Sequence, residues 1–137
     1  GLPKDANDLI KVISICVGKI PILGVCLGLQ ALVEHFGGSI YNQNQVKHGK
    51  SEMGTCDNNS RLFKNLPNEF KFGLYHSWAA TKEDFPKDLM ITATLKKGTI
   101  MAFEHKPLPI AAFQFHPEST LTENGHDIIE NFLNNFN

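Results

Sequence analysis

The chain has 137 residues, of which 42% are apolar and 20% are charged, and its formal net charge is −1 at pH 7. These values are ordinary for a globular protein, so we predict one domain over residues 1–137. A near-neutral chain offers no large basic surface, which argues against nucleic acid as the principal partner. The sequence shows no membrane-spanning run and no signal-peptide pattern, which favours a cytoplasmic protein without a membrane contact.

The N-terminal part of the chain alternates between helical and strand patterns. From Asp5, which can cap a helix, apolar residues recur at helical spacing, and their positions are expected in the core. The short apolar run from Pro21 to Val25 predicts a buried parallel strand. A second helix follows and stops at Gly37-Gly38, since glycine accepts the left-handed conformation at a helix end. The apolar positions of the first helix are Leu9, Val12, Ile13 and Cys16.

The rest of the chain predicts mainly strands and one final helix. The weaker predictions are a strand and loop in 39–50, a turn or short helix in 61–67 and a strand in 69–78. The clearer ones are three strands in two hairpins, at 89–95, 100–105 and 110–115. A last amphipathic helix, from about Glu123 to Phe136, buries Ile128, Ile129, Phe132, Leu133 and Phe136. The predicted fold is α/β: an open, mostly parallel sheet flanked by helices, with antiparallel extension strands.

The segment Gly24-Val25-Cys26-Leu27-Gly28 has the glycine spacing of a nucleophile elbow, with cysteine in place of serine. A sharp turn from strand to helix brings backbone segments together, so small residues are expected on both sides of Cys26. The positive end of the helix dipole would stabilise the Cys26 thiolate. The backbone N–H of Leu27 would be free to bind an oxyanion. A buried structural cysteine beside two packing glycines is the alternative.

A second cluster, Phe113–Ser119, is an apolar strand that ends in His116 and Glu118. A thiol nucleophile needs a base near neutrality, and the base needs a partner that fixes its tautomer. The alternative is a strand-end histidine beside a solvated glutamate. Because the ends of two strands can meet at one crevice of an open α/β sheet, the two clusters together favour a site of Cys26, His116 and Glu118.

The remaining cysteines and histidines suggest structural roles. The three cysteines are odd in number and widely spaced, which fits neither a disulfide framework nor a zinc site built from close pairs. The other histidines lack a metal partner at ligand spacing and are expected to be packing or surface residues: His35, His76, His105 and His126. No metal or organic cofactor is expected, since thiol chemistry needs none.

Four segments resemble class I glutamine amidotransferases. Pro21–Gln30 and Gln114–Ser119 are similar to the two signature motifs of that family. Lys47–Lys50 and Tyr75–Ser77 are similar to segments of the branch that serves chorismate-aminating enzymes, namely anthranilate synthase component II and its aminodeoxychorismate synthase counterpart. The resemblance runs nearly end to end, with the motifs in the family's order.

The resemblance implies hydrolysis of L-glutamine. The thiolate of Cys26 would attack the side-chain carboxamide, His116 would protonate the departing ammonia, and water would cleave the glutamyl thioester. Ammonia would pass to a partner, the component I synthase subunit of anthranilate synthase or of aminodeoxychorismate synthase. By motif position, Gln30 would contact the substrate, and Ser77 with the backbone of Trp78 would hold its α-amino and carboxylate end.

Some positions depart from the family pattern. Only Gly1-Leu2-Pro3 stands where the family has a first βαβ region and an oxyanion loop, so the resemblance implies an N-terminally truncated domain with Gly1 as the last loop glycine. One lost oxyanion donor typically costs about 100- to 1000-fold in rate, so weak or no activity is expected. Leu29 replaces a frequent histidine, and Trp78 replaces an aliphatic residue. His48 and Gly49 would support the partner interface, or form an ordinary loop.

Several functions stay open on the sequence. The favoured one is the glutaminase of anthranilate synthesis, in the tryptophan pathway. Alternatives are the aminodeoxychorismate glutaminase of the folate pathway, one subunit shared by both, a catalytically silent module that only binds its synthase, and a hydrolase of γ-glutamyl compounds without ammonia transfer. The motifs around His48 and Tyr75 make the last of these less favoured.

Overall fold

The computed structural model describes residues 8–43 and 49–137. In this part of the chain the helices are α1 (Leu9–Cys16), α2 (Leu27–His35) and α3 (Gly125–Asn135). The strands are β1 (Ile22–Val25), β2 (Ile40–Asn42), β3 (Lys50–Cys56), β4 (Glu69–Leu74), β5 (Trp78–Ala80), β6 (Leu89–Leu95), β7 (Ile100–His105) and β8 (Ile110–Phe113). None of the helices among these residues is long and apolar enough to cross a membrane.

Six strands form one mixed sheet in the order β1-β8-β7-β6-β3-β4, and β2 pairs with β5 separately. β1 and β8 run parallel, with Val25 opposite Phe113. The other neighbours in the sheet are antiparallel. The predicted α/β fold with antiparallel extension strands is confirmed, although in the described residues the extension forms the larger share of the sheet. The parallel pair brings the carboxyl ends of β1 and β8 together.

The burial of β8 on both faces, between β1 and β7, explains why its sequence is continuously apolar. All four of its residues are buried, and successive side chains point to opposite faces of the sheet. Ile110 and Ala112 join a cluster with residues of α1 and α2, whereas Ala111 and Phe113 join an aromatic-rich cluster with residues of α3. Helices therefore cover both faces, as an α/β architecture requires.

The helices agree with the predicted elements but bury fewer side chains than expected. In α1, Ile13 is buried, Cys16 is only half-buried and Val12 is 50% exposed. In α3, Ile128 and Phe132 are buried, but Leu133 is 62% exposed. Each helix presents one face to the sheet, so the apolar positions at the margin of that face stay in contact with solvent. The predicted cap at residue 5 lies outside the described residues.

The centre of the chain differs most from the prediction. The strand predicted over 69–78 is divided into β4 and β5 by Tyr75–Ser77, which leave the sheet. Residues 61–67 form a turn, which is one of the two predicted options, with Leu66 N donating to the carbonyl of Phe63. β3 has no counterpart among the predicted elements. Burial alternates along the second half of β3, but the inward positions include Glu52 and Gly54, so the sequence shows no alternation of apolar residues there. The two predicted hairpins at the end of the sheet are confirmed, with β8 ending at Phe113.

Candidate active site

Cys26 occupies the turn between β1 and α2 in a strained backbone conformation. It is the N-cap residue of α2, with φ 56° and ψ −101°. A non-glycine residue at such a positive φ costs about 1–3 kcal/mol and persists only where its surroundings hold it there. Its N–H donates to the carbonyl of Phe113 at 2.7 Å, and its own carbonyl accepts from Gln30 N at 3.3 Å. The turn is therefore held at one end by β8 and at the other by the first turn of α2.

The two glycines of the elbow differ in their surroundings. A Cβ on Gly24 would lie 2.8 Å from the carbonyl carbon of Gly28 and 2.8 Å from Leu32 Cδ1. A Cβ on Gly28 would meet nothing within 4 Å in the part of the chain that the structure describes. The expectation that both positions need a small residue is therefore supported at Gly24, where strand and helix approach closely, and not at Gly28.

The sulfur of Cys26 is partly buried, and most of its polar neighbours donate. Burial raises the pKa of the thiol above its ordinary value, and the charge of Glu118 acts in the same direction. The backbone N–H of Leu27 and the side-chain amide of Gln114 oppose this rise, the amide nitrogen lying 3.6 Å from the sulfur. The expected stabilisation of the thiolate is therefore present but smaller than the cost of burial, and the resting thiol needs a base.

His116 and Glu118 form a hydrogen-bonded pair beyond the end of β8. His116 Nδ1 lies 2.8 Å from Glu118 Oε2. Burial alone would raise the pKa of Glu118, but the hydrogen bond from His116 and the backbone hydrogen bond outweigh it, so the pKa of Glu118 is lowered. An ionised carboxylate on Nδ1 leaves Nε2 as the ring nitrogen that exchanges protons. The pair thus has the arrangement of a base and the residue that orients it.

The loop that carries this pair is anchored to β4. The N–H of His116 donates to the carbonyl of Gly73 at 3.1 Å, and the hydroxyl of Thr122 donates to the carbonyl of His116 at 2.7 Å. The same hydroxyl accepts from Gly73 N at 2.8 Å. A Cβ on Gly125 would overlap the carbonyl of Pro117, so α3 begins in direct contact with the loop. These contacts fix the histidine relative to the sheet.

Tyr75 supports His116 from the side, a role that the sequence did not predict. The two rings meet edge to face, with centroids 5.0 Å apart and an interplanar angle of 81°. The Tyr75 hydroxyl lies 3.0 Å from Ser119 Oγ. In the sequence, Tyr75 was noted only because Tyr75–Ser77 resembles a segment of the family, and that resemblance does not predict a contact with His116.

A cavity of about 130 Å³ lies beside the sulfur of Cys26. Its walls are Cys26, Leu27, Gln30, Tyr75, His76, Ser77 and Trp78. The structure therefore brings together the described residues that the sequence predicted for substrate binding. The carbonyl of Trp78 accepts from Gln30 Nε2 and from His76 Nδ1, each at 3.0 Å. His76, expected to be a packing or surface residue, is buried and lines the site.

The other predicted residues fall into two groups. Gly1 and His48 lie outside the described residues, whereas Gly49 adopts a φ of 63° close to the ring of Tyr75. His105 is buried, and its Nδ1 accepts from Leu108 N, while burial lowers the pKa of its ring. His126 is exposed beside Glu130, and His35 packs against Phe36. These last three histidines agree with the predicted structural roles.

A larger groove of about 570 Å³ lies near the turn between β6 and β7. Lys82, Lys97 and Gly98 are among its lining residues, and none of Cys26, His116 and Glu118 takes part. Volume alone does not identify a catalytic site, and the described residues that line this groove include no nucleophile paired with a base. In residues 8–43 and 49–137, no group of three or more His, Cys, Asp or Glu side chains is arranged to hold a metal ion.

The strained cysteine, the paired histidine and the adjoining cavity agree with a comparison of whole sequences. The profile of the family described as Glutamine amidotransferase class-I matches residues 1–136. The chain belongs to this family. The class I amidotransferase profile thus spans both the elbow at the end of β1 and the His116–Glu118 pair beyond the end of β8.

Individual proteins and one solved structure are similar to this chain over most of its length. Anthranilate synthase component 2 of Methanocaldococcus jannaschii is 45% identical, with 96% of this chain and 68% of the relative covered. Aminodeoxychorismate/anthranilate synthase component 2 of Bacillus subtilis is 37% identical, with 98% and 69% covered. A crystal structure from Thermoplasma acidophilum, described as that of a GMP synthase protein, superposes with a TM-score of 0.84 at 30% identity, with 98% and 68% covered. The chain thus spans about two thirds of each.

Proposed function

We propose that this class I amidotransferase domain, residues 1–137, hydrolyses L-glutamine to glutamate and ammonia. The observation that carries the proposal is the position of Cys26, on a strained turn at the end of β1, next to the strand whose end carries His116 and Glu118. A nucleophile, a base and an orienting carboxylate on adjacent parallel strands form the constellation that thiol-dependent acyl transfer requires.

The reaction begins with a proton transfer, because burial keeps the resting Cys26 thiol protonated. His116 accepts that proton, and the thiolate attacks the side-chain carbonyl carbon of glutamine. The tetrahedral intermediate collapses with cleavage of the C–N bond, and His116 donates the proton to the leaving nitrogen, so that ammonia departs. Water, activated by the same imidazole, then cleaves the thioester, and glutamate leaves with the thiol restored. Glu118 stabilises the imidazolium in each step.

Two groups of residues would hold the substrate. The backbone N–H of Leu27, at the first position of α2, would donate to the oxyanion. Gly1 would belong to the second oxyanion wall, a proposal that rests on the family resemblance alone. Gln30, Ser77 and Trp78 would contact the amino acid in the cavity beside Cys26. The carbonyl of Trp78 already accepts two hydrogen bonds, so its part in binding is assigned to its N–H.

The ammonia would serve a synthase subunit that aminates chorismate. Relatives at 37–45% identity are named anthranilate synthase component 2 or aminodeoxychorismate/anthranilate synthase component 2, which favours component I of anthranilate synthase as the partner. Component I of aminodeoxychorismate synthase is the second candidate, because the Bacillus relative carries both names. The reaction is assigned to the cytoplasm, where free cysteines such as Cys26 stay reduced.

The test is glutamine-dependent amination in a reconstituted pair. The purified chain is mixed with anthranilate synthase component I, chorismate and glutamine, and glutamate and anthranilate are measured together. Equal amounts of the two products are the expected result. A complex that forms without glutamate release would identify a silent binding module, and glutamate release that component I neither accelerates nor couples to amination would identify a simple hydrolase. Aminodeoxychorismate synthase component I in the same assay separates the two pathways.

A further inference from the structure

Two buried glutamine side chains connect the nucleophile to the wall of the cavity. Gln114 Nε2 lies 3.6 Å from Cys26 Sγ, and Gln30 Nε2 lies 3.3 Å from Gln114 Oε1. Gln30 Nε2 also donates to the carbonyl of Trp78 at 3.0 Å. Gln114 has no exposed surface, and Gln30 is 3% exposed. Amides buried to this degree are costly unless they are hydrogen-bonded, so these three contacts determine how both side chains are oriented.

The direction of the chain of hydrogen bonds follows from its first member. A backbone carbonyl can only accept, so Trp78 requires the NH2 end of Gln30 to face it. The second hydrogen of that NH2 group then reaches the oxygen of Gln114. With its oxygen engaged, Gln114 turns its own NH2 group toward the sulfur. When the network fixes which end of each amide is nitrogen, the group of Gln114 that faces Cys26 is its NH2, a donor and not an acceptor.

We propose that Gln114 is a further catalytic residue, which donates a hydrogen bond from its side-chain amide to the Cys26 thiolate, and that Gln30 is the positioning residue that holds this amide. The proposal rests on the proposed function only in taking Cys26 as the nucleophile. Gln114 lies two residues before His116, at the end of β8, and its backbone N–H donates to the carbonyl of Met101 at 2.7 Å. The backbone of Gln114 is therefore held by β7 of the six-stranded sheet, which fixes the position from which its side chain donates.

A hydrogen bond to this sulfur favours the charged state. A neutral thiol is a weak acceptor, whereas a thiolate is a charged one, so the contact strengthens as the proton leaves Cys26. Because the thiolate and not the thiol is the nucleophile, this stabilisation raises the fraction of Cys26 that can attack. The amide is already in place and needs no reorganisation when charge develops. Gln114 thus offsets part of the burial that raises the pKa of the thiol.

Gln30 contacts both the wall of the cavity and Gln114, so it can link the two. Its amide hydrogens are directed to the carbonyl of Trp78, in the cavity wall, and to Gln114, which contacts the sulfur. A ligand that displaced the carbonyl of Trp78 would also change the orientation of Gln30 and, through it, the donor at the sulfur. Occupancy of the cavity and ionisation of Cys26 are in this way linked through two side chains.

The experiment measures the pH dependence of alkylation of Cys26 by iodoacetamide, without glutamine and with site-resolved mass spectrometry. Gln114→Met keeps the approximate size of the side chain and removes the donor. Because a hydrogen bond to a charged group is worth about one to two pKa units, the Cys26 midpoint is expected to rise by about one to two pH units. Cys16, which faces neither amide, is the internal control and keeps its profile.

A second variant covers the case in which Gln114→Met does not fold, recognised by a changed Cys16 profile or by labelling of the buried Cys56. Gln30→Met leaves Gln114 in place but removes its orienting donor, and a smaller rise of the midpoint is expected. An unchanged Cys26 midpoint in the folded variants would overturn the proposal. Because the readout needs no glutamine, loss of the proposed amidotransferase function in the wild type would leave this result interpretable.

Discussion

Cys26 and Cys56 are both removed from solvent to a large extent, and burial raises the pKa of both thiols, that of Cys56 to about 11. Their neighbours differ. Cys56 donates its S–H to the carbonyl of Pro67 at 3.2 Å and lies next to Asp57, whose charge raises its pKa further. Cys26 accepts from Leu27 and Gln114 instead. Acceptors around a thiol hold its proton, whereas donors prepare it to leave, so the polarity of the neighbours separates the structural cysteine from the nucleophile.

The backbone of Cys56 is regular strand, whereas that of Cys26 is strained. Cys56 is the last residue of β3 and pairs with Ala93 of β6. Cys26 has a φ of 56° and caps α2. Strain of this kind persists only where surrounding contacts enforce it, and it is frequent at functional sites. The contrast can be tested by changing one thiol, or its supports, at a time.

The largest expected effect is the loss of the nucleophile. Cys26→Ser should lower glutamine turnover by at least about 1000-fold, because a hydroxyl is far less acidic and less nucleophilic than a thiol in the same geometry. Cys56→Ser, the matched control, should leave turnover within about twofold, since its hydroxyl can still donate to Pro67. Turnover is measured by glutamate release. Comparable losses in both variants would mean that the two thiols had been wrongly distinguished.

Removal of the charge near Cys26 should lower both the turnover of glutamine and the pH at which the thiol ionises. Glu118→Gln weakens the partner of His116 and is expected to lower turnover about 100-fold, less than for a fully buried triad carboxylate because Glu118 is exposed. Since the negative charge of Glu118 raises the pKa of Cys26, the alkylation midpoint of the thiol should fall. Glu123→Gln, the same charge removal in the same connection between β8 and α3, is the control. A turnover equal to wild type would exclude the orienting role.

The elbow offers a matched pair of glycine substitutions. Gly24→Ala places a methyl group 2.8 Å from the backbone of Gly28, so the free energy of unfolding should fall by about 3 kcal/mol. Gly28→Ala meets open space and lies within α2, where alanine is the better helix former by up to about 1 kcal/mol, so stability should be unchanged or higher. Urea unfolding measures both. Equal destabilisation would contradict the asymmetry of the turn.

The smallest effect concerns Cys56 at alkaline pH. Its pKa is raised from 9.0 to about 11, so the folded state keeps a proton that the unfolded state releases between these values. This contribution to stability is complete below pH 9 and is lost as the pH rises toward 11, by about 1–2 kcal/mol after allowance for solvent screening. Cys56→Ala should therefore show a shallower fall in the free energy of unfolding over this range, with Cys16→Ala as the control. If the free energy of unfolding of Cys56→Ala and of the wild type fell in parallel with pH, the predicted contribution of Cys56 would be wrong.

The sequence by itself determined most of the local elements and predicted which groups react. The apolar run before Gly24, the glycine spacing around Cys26 and the His116–Glu118 pair are short-range patterns, and each depends on chemistry within a few residues. The two hairpins at the end of the sheet were predictable for the same reason, since alternation and turn residues act locally. The central region had no such pattern, and there the single strand predicted at 69–78 is divided into β4 and β5 in the tertiary structure.

Only the tertiary structure decided which polar groups surround each thiol. Gln114 is 88 residues from Cys26 in sequence, and Gln30 is 84 from Gln114 and 48 from Trp78. Tyr75 reaches Ser119 across 44 residues. Contacts over such separations leave no periodicity in the sequence, because they depend on strand order and on the angle at which loops leave the sheet. The sequence therefore predicted the nucleophile and its base, and the fold determined that donors surround Cys26 while Cys56 donates to a carbonyl.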